Sequence, residues 1–368
     1  MPTMMRLNRN YLILNKIYTG RIMKLICHFI ILSVCLCYAQ FAHATDPLFA
    51  DDSVIQIRIE APMSEIVRKA KETAQPYPAT LALEGWGETH AITLAARGKS
   101  RRKLGFCRFP PLRVKFQEKP DATSYFKGQK SLKLVTHCNK ASKYQQLNYL
   151  EYNIYKVYNL LTPQSLKVRL AKIDYVDSEK GKVYASKHGF FIEDMDDAAK
   201  RNGMKELDIT SLNRSQLDER AAARAGLFNY MIGNLDFSMV KAAPGQDCCH
   251  NGKLMAATKN SSHNIVYVPY DFDQTGFVNA PYATPPPSLK VKSVRKRVYR
   301  GICQHNQSVK AEAGNFLRNE DRIKQIVSNM TLLESRYKKS TLTYLDDFFA
   351  ILQDPQQFES KILNACRT

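Results

Sequence analysis

The sequence predicts an α+β fold of two lobes, a β-rich N-terminal lobe over residues 45–195 and a helical C-terminal lobe over residues 196–368. Two observations predict this fold class. Apolar and polar residues alternate in several short segments before residue 117, as they do in half-buried strands. From residue 143 the apolar residues recur at helical spacing, and this period dominates the chain between about residues 313 and 366.

The first 44 residues carry the pattern of an export signal. Lys24 supplies a positive charge, residues 25–36 form an apolar run, and Ala-His-Ala at residues 42–44 is a cleavage site of small residues. We interpret residues 23–44 as a signal peptide and residues 1–22 as an extension from a misplaced start codon. An anchor that is kept uncleaved is the alternative. The mature chain is then secreted or periplasmic, with no transmembrane segment after cleavage.

Net charge and cysteine content point to the partners and the compartment. The formal net charge of +20 favours anionic partners such as nucleotide phosphates, nucleic acid, a membrane surface or an acidic polymer. An even number of cysteines in an exported chain predicts disulfides. The six that follow the signal are Cys107, Cys138, Cys248, Cys249, Cys303 and Cys366. We expect the two adjacent cysteines to bond to distant partners, because a ring between neighbours is strained.

The N-terminal lobe is predicted from strands, one short helix and one long helix. In residues 110–116, the alternation places Leu112 and Phe116 on one face of a strand and Lys115 on the other. Apolar residues at helical spacing predict a helix over residues 143–161, which Pro163 ends. The remaining predicted elements are strands at 53–60, 79–85 and 90–98, a short helix after Ala61, and a hairpin of 168–176 with 181–194.

The C-terminal lobe is predicted to start with a strong helix. This helix covers residues 215–235, with Ser215 as its N-cap and Asp218 as a carboxylate in its first turn. A loop over residues 237–263 follows, and then a strand that ends in acidic residues. A proline-rich connector and a helical remainder complete the chain.

One acidic site follows the helix predicted at residues 215–235, and another follows the predicted strand that comes after the loop. Asp271 and Asp273 stand two residues apart, so in a strand both carboxylates point to one side. Like charges that close repel unless a cation lies between them, and hard oxygen ligands suit Mg²⁺ or Mn²⁺. Asn234 and Asp236 lie where the helix gives way to a loop. A helix ending in an acidic loop, followed by a strand ending in an acid, is the arrangement of the catalytic half of kinase-like folds.

The order of several short segments resembles the CotH (spore coat protein H) kinase-like family of atypical secreted kinases. The resemblance covers about 180 residues, from Arg97 to Gly276. The segments are "RGKS" at 97–100, "LRVKF" at 112–116, the helix that contains Glu151, "HGFFIED" at 188–194, "GNLD" at 233–236, "HN" at 250–251 and "VPYDFDQTG" at 268–276. It implies a two-lobed atypical protein-kinase-like fold that binds ATP with Mg²⁺ or Mn²⁺.

The resemblance also implies roles for single residues. Asp236 would be the catalytic aspartate, and Asp271, Asp273 and Asn251 would hold the metal. Either aspartate of the pair could be the main ligand. The residue five positions after Asp236 is Lys241, where the kinase pattern has asparagine, so Asn251 would have to replace it.

Four further residues would bind the nucleotide in this resemblance. Lys115 would contact the phosphates, with Glu151 as its partner on the long helix. Arg97 belongs to the "RGKS" segment, and Glu193 lies where the chain would pass the adenine.

Three functions follow for the exported protein. The first is transfer of a phosphoryl or nucleotidyl group from metal-bound ATP to a hydroxyl of a protein or envelope acceptor. The second is a catalytically silent module that binds an anionic envelope ligand, and the third is a metal-dependent phosphoesterase.

The basic segment at residues 293–301 is either a solvated face or a surface for an anionic acceptor. Nucleic acid is not an expected partner.

Overall fold

Seven strands of the N-terminal half close into a β-barrel. A computed structural model describes residues 46–98, 101–102, 106–242 and 248–368, so the predicted extension and signal peptide lie outside the described residues. Around the barrel the strands follow the order β1-β2-β3-β4-β5-β7-β6. Their bounds are β1 Ile55–Ala61, β2 Tyr77–Leu83, β3 Glu88–Ala96, β4 Leu112–Phe116, β5 Ser131–Val135, β6 Val168–Asp177 and β7 Lys182–Ile192.

The barrel makes the prediction of a two-lobed kinase-like fold wrong. Neighbouring strands pair antiparallel except β1 and β6, which pair in parallel from Ile55 opposite Ala171 to Ala61 opposite Asp177. This pairing joins the two edges that an open sheet would leave unpaired. Residues more than 100 positions apart in the chain make it, so the local periodicity of either strand does not reveal it.

A second, three-stranded sheet and eight helices make up the rest of the described chain. The sheet has the order β10-β9-β8, with β8 at Lys205–Leu207, β9 at Gly252–Ala256 and β10 at Val266–Pro269. The helices are α1 Met63–Lys69, α2 Ser142–Leu161, α3 Met195–Arg201, α4 Glu219–Met231, α5 Asn306–Arg318, α6 Glu320–Ser328, α7 Ser335–Gln353 and α8 Pro355–Phe358. None of these helices combines the length and the apolar composition that a bilayer crossing requires.

Apolar side chains collect in three cores, one inside the barrel, one outside it and one around the three-stranded sheet. Leu134 and Phe191 belong to the inner core, while Val135, Phe190 and Ile192 pack outside the barrel against α2 and the C-terminal helices. The change of side from one residue to the next follows from the two-residue period of a strand. The outer wall of β5 and β7 thus carries the long helix.

Two long helices confirm the predicted periodicity, although the helix predicted over residues 215–235 is shorter at both ends, Glu219–Met231. The helix α2 ends at Leu161, two residues before Pro163, as predicted. The helix α4 begins at Glu219, because the carboxylate of Asp218 accepts a hydrogen bond from the amide of Ala221. Asp218 is therefore the N-cap, and Ser215 belongs to a preceding turn of 3₁₀ helix.

Three disulfides are compatible with an oxidising compartment. They join Cys107 to Cys138, Cys248 to Cys249 and Cys303 to Cys366. The expectation that the adjacent pair bonds to distant partners is therefore wrong. The first disulfide ties the segment between β3 and β4 to the residues that follow β5.

The stability of this tied region should depend on a buried histidine. His137 is 2% exposed and stacks on Phe109, with the ring centroids 4.4 Å apart. Burial lowers the pKa of His137 to about 4, whereas the unfolded chain binds a proton near the ordinary value of 6.5. The unfolded state is therefore favoured as the pH falls from 6.5 to 4, by about 3 kcal/mol.

Urea unfolding across this pH range would measure the effect of His137. The wild-type free energy of unfolding should fall more steeply towards pH 4 than that of His137→Gln, which cannot bind the proton. Equal slopes in the two proteins would show that His137 does not contribute to the acid lability.

Candidate functional site

The acidic pair of the sequence follows immediately after β10. The strand ends at Pro269, and Asp271 adopts a left-handed backbone with φ of +65°. The amide of Asp271 donates a hydrogen bond of 3.0 Å to the hydroxyl of Tyr155, which is buried on α2. The two-residue period of a strand therefore does not apply at Asp271. The two carboxylates still lie close together, because the guanidinium of Arg101 lies 3.6 Å from Asp271 and 2.8 Å from Asp273.

An arginine that the sequence reasoning missed lies among these acids. Arg101 is 8% exposed, and its Nε donates to Oδ2 of Asp273 at 2.8 Å. Its Nη2 donates to Oε2 of Glu151 at 2.9 Å and lies 3.6 Å from Oδ1 of Asp271. One guanidinium thus faces three carboxylates. Arg101, rather than Lys115, is the basic partner of Glu151.

The group of Arg101, Glu151, Asp271 and Asp273 holds more negative than positive charge. Glu151 is buried in the middle of α2, and burial raises its pKa to about 7. The guanidinium of Arg101 opposes this rise, but the charges of Asp273 and Asp271 add to it. The excess negative charge favours binding of a further cation.

A second polar group lies beside the first. Nε2 of His250 and Oδ1 of Asp236 are 2.8 Å apart, and the amide nitrogen of Asn251 donates to the carbonyl oxygen of Asp236 at 2.6 Å. The hydrogen bond with His250 lowers the pKa of Asp236 and raises that of the imidazole. The carbonyl oxygen of Asn251 accepts from the amide of Tyr270 at 3.2 Å, which joins this group to the acidic pair.

Asn251, the residue predicted to replace the asparagine missing at Lys241, lies beside Asp236. It has a left-handed backbone with φ of +49°, and its side chain donates a hydrogen bond to the carbonyl oxygen of Asp236. Lys241 is exposed, and its carbonyl oxygen accepts from the amide of His250 at 3.0 Å. The sequence analysis assigned no role to His250, although its place directly before Asn251 was the available signal.

Basic side chains border the acidic group. Arg97 and Asp271 line a cavity of about 40 Å³ together with Glu151 and Tyr270. This volume holds about three water molecules and is too small for a nucleoside. Lys133 on β5 lies 5.0 Å from the ring centroid of Tyr270, and burial, then the charge of Arg97, lowers the pKa of Lys133 to about 8.

Two predicted nucleotide ligands lie elsewhere. Lys115 is exposed on the outer face of the barrel, between Thr93 on β3 and Ser131 on β5. Glu193 is buried, and its carboxylate accepts from Arg201 at 2.9 Å and from the amide of Lys167 at 2.8 Å. These contacts tie the end of β7 to α3 and occupy both oxygens of Glu193.

The basic segment at residues 293–301 packs against the protein. The guanidinium carbons of Arg295 and Arg297 lie 4.0 Å and 3.6 Å from the ring centroid of Tyr344. Arg297 also donates to the carbonyl oxygen of Met231 at 3.1 Å, and Arg300 donates to that of Leu235. The segment therefore fixes the end of α4, just before Asp236, and is not simply a solvated face.

The donors fit a hard cation, although they do not form a ready-made cage. In the described ranges, no three side chains of His, Cys, Asp or Glu are grouped to hold a metal ion. Mg²⁺ usually binds one or two carboxylates and completes its shell with water and substrate phosphates. Asp271 and Asp273 supply two such carboxylates. The amide oxygen of Asn251 is not used by its contacts with Asp236.

Comparisons of the whole sequence give no family assignment. A scan against protein-family models finds no match, and a search of curated proteins finds no significantly similar sequence.

Proposed function

We propose that the protein transfers a phosphoryl or nucleotidyl group from metal-bound ATP to a hydroxyl of a protein or envelope acceptor. The observation that carries the proposal is the convergence of acids from separate segments. Glu151 on α2 and Asp271 and Asp273 after β10 share one guanidinium, and the group of Asp236 after α4 is joined to them by the hydrogen bond from Tyr270 to Asn251. The resemblance to the CotH kinase-like family supports the same chemistry, on a fold that is not that of a typical protein kinase.

Asp271 and Asp273, with the amide oxygen of Asn251, would hold Mg²⁺ or Mn²⁺. The metal would neutralise charge on the phosphates during transfer. Asp271 is the more accessible ligand, since 46% of its side chain is exposed and only 7% of that of Asp273. Asp273 is already bound to Arg101, which fixes its orientation.

Arg97 and Lys133 would bind the phosphates. Arg97 lines the cavity with Asp271, and Lys133 contacts the ring of Tyr270, the residue directly before Asp271. Lys133 replaces the predicted Lys115 in this role. A partly buried ammonium group attracts an anion more strongly than an exposed ammonium group does, because the surrounding dielectric constant is lower.

Asp236 would accept the proton of the acceptor hydroxyl or orient that hydroxyl. Its carboxylate is 41% exposed, so a substrate can reach it. The hydrogen bond with His250 keeps Asp236 ionised and fixes its position. Such positioning and charge compensation provide most of the catalysis in phosphoryl transfer.

The compartment we propose is the periplasm or the extracellular space. The three disulfides and the sequence pattern of a signal peptide support it. ATP is scarce there, so the reaction requires an exported supply of nucleotide.

A second candidate function is a silent module that binds an anionic envelope ligand. One observation favours it: the guanidinium of Arg101 already bridges Glu151 and Asp273, which lessens the need for a metal. The adjacent cavity of about 40 Å³ also accepts an anionic group more readily than a nucleoside.

Thermal unfolding with ATP and Mn²⁺ tests the proposal on protein purified from the periplasm of an expression host. ATP at 100 times its dissociation constant should stabilise the protein by about 2.7 kcal/mol, and only with Mn²⁺. Asp271→Asn and Lys133→Ala should lose this shift, whereas Lys115→Ala should keep it. Mass spectrometry after incubation with an envelope extract would detect a phosphorylated or nucleotidylated acceptor.

Three results would count against the proposal. No stabilisation of the folded wild type by ATP and Mn²⁺ would contradict a nucleotide site. Stabilisation by inorganic polyphosphate without metal would favour the binding module. Release of free phosphate without any modified acceptor would indicate a phosphoesterase.

A further inference from the structure

A second and larger cleft lies at the opposite end of β3 from the acidic site. It encloses about 440 Å³, a volume in the usual range of small-molecule sites. Trp86 lies just before β3, and Arg97 of the acidic site follows its last residue. The nine extended residues of β3 place its two ends about 26 Å apart. The two sites share no lining residue and are therefore separate.

Trp86 dominates the mouth of this cleft. It is the single tryptophan of the chain, and it is 70% exposed at the turn between β2 and β3. Its ring centroid lies 5.5 Å from that of Tyr125, with the planes tilted by 54°. A large apolar ring held in water beside a cavity has unused contact area, so a ligand that covers it is favoured.

The rest of the cleft combines charged and polar groups with these rings. Arg169 is 1% exposed, and its guanidinium contacts Oδ1 of Asp51 at 2.6 Å and Oγ of Ser53 at 2.7 Å. Asp51 stays accessible, since 61% of its side chain is exposed. Glu84 lies in the turn beside Trp86 and also lines the cleft. Among the described residues, Nε of Arg169 has no hydrogen-bond partner.

A saccharide matches this combination. The C–H groups on one face of a sugar ring carry partial positive charge and stack on the electron-rich face of an indole. Its hydroxyl groups donate hydrogen bonds to carboxylates such as Asp51 and Glu84, and accept them from polar donors. The two carboxylates and one guanidinium leave a net negative mouth, which favours a neutral sugar over an anionic one.

Other ligand classes fit less well. Nucleotide phosphates and anionic lipid headgroups would meet the carboxylates of Asp51 and Glu84. The exposed large apolar residues at the cleft are Trp86 and Val54, within the described part of the chain. A membrane-binding surface needs more apolar area than these two provide. A proline-rich peptide needs a row of aromatic side chains, whereas Trp86 and Tyr125 form a single corner.

We propose that this cleft binds a neutral oligosaccharide, with one sugar ring stacked on Trp86 and its hydroxyl groups hydrogen-bonded to Asp51 and Glu84. The inference is independent of the proposed transferase activity, because it uses a different set of residues. A saccharide of the cell envelope or of the medium would present this chemistry to an exported protein.

Intrinsic fluorescence tests the proposal directly, because Trp86 is the only tryptophan. The probes are diacetylchitobiose, cellobiose, maltotriose and digalacturonate, added to the purified wild-type protein. At least one neutral sugar should shift the emission of Trp86 to shorter wavelength with saturation, and digalacturonate should bind at least tenfold more weakly. Calorimetry should show at least a tenfold loss of affinity for that sugar in Trp86→Ala and in Glu84→Gln.

A matched control removes a different exposed apolar side chain. Val183 on β7 is 57% exposed, so Val183→Ala should bind the sugar as the wild type does. No saturable response to any of the neutral sugars would overturn the proposal. A response confined to anionic vesicles or to a polyproline peptide would equally overturn it, and would assign Trp86 to a membrane or peptide surface.

Discussion

Arg101→Met is expected to lower the free energy of unfolding by about 4 kcal/mol, because removal of one partner from a buried ion network leaves uncompensated charge. Glu151 and Asp273 would each lose a hydrogen bond to the guanidinium, of 2.9 Å and 2.8 Å. Asp271 would lose a charge 3.6 Å away. Urea unfolding of the variant and the wild type, with the disulfides intact, would measure the difference.

A divalent cation should partly replace the missing guanidinium. Mn²⁺ at millimolar concentration is expected to raise the midpoint of thermal unfolding more in Arg101→Met than in the wild type, because Glu151, Asp271 and Asp273 then lack the guanidinium that they share. Arg102→Met is the matched control, since Arg102 bonds to the carbonyl oxygens of Gly98 and Ala70 outside the acidic group. A loss below about 1 kcal/mol for Arg101→Met would contradict the network, as such a value is typical of an exposed pair.

Asp236→Asn is expected to lower kcat for group transfer about 1,000-fold, within the range found for general acid–base groups. The KM for ATP should change little, because in the proposed mechanism Asp236 acts on the acceptor hydroxyl and does not bind the phosphates. The variant should fold normally, since the carboxylate is 41% exposed and asparagine keeps the size of the side chain. Steady-state assays with the acceptor found by mass spectrometry would measure both constants.

Two variants make the test of Asp236 specific. Asp321→Asn removes an exposed aspartate from α6 and should leave kcat unchanged. His250→Gln keeps a donor beside Asp236 but removes the imidazole, so its kcat should fall less than that of Asp236→Asn. Unchanged kcat in Asp236→Asn would remove this residue from the mechanism. A raised KM for ATP with unchanged kcat would assign it to nucleotide binding.

Local patterns predicted many of the elements correctly. The alternation at residues 112–116 gives β4, and the helical spacing up to Leu161 gives α2. Both predictions succeed because the apolar residues of each buried face recur at the regular spacing of a strand or a helix. The strands β5, β8 and β9 were missed. The strand β8 has only three residues, too few to show a period, and β9 falls within residues 237–263, which were predicted as a loop.

The sequence by itself pointed to Asp236, Asp271 and Asp273, because they follow the end of a predicted helix or strand, and the resemblance to the CotH kinase-like family added Asn251. Only the tertiary structure decided which side chain compensates the charge of the carboxylates. Arg101 reaches Glu151 from 50 positions away and Asp273 from 172 positions away. Contacts of that separation arise from the barrel and the packing of α2 against it, and no local period encodes them.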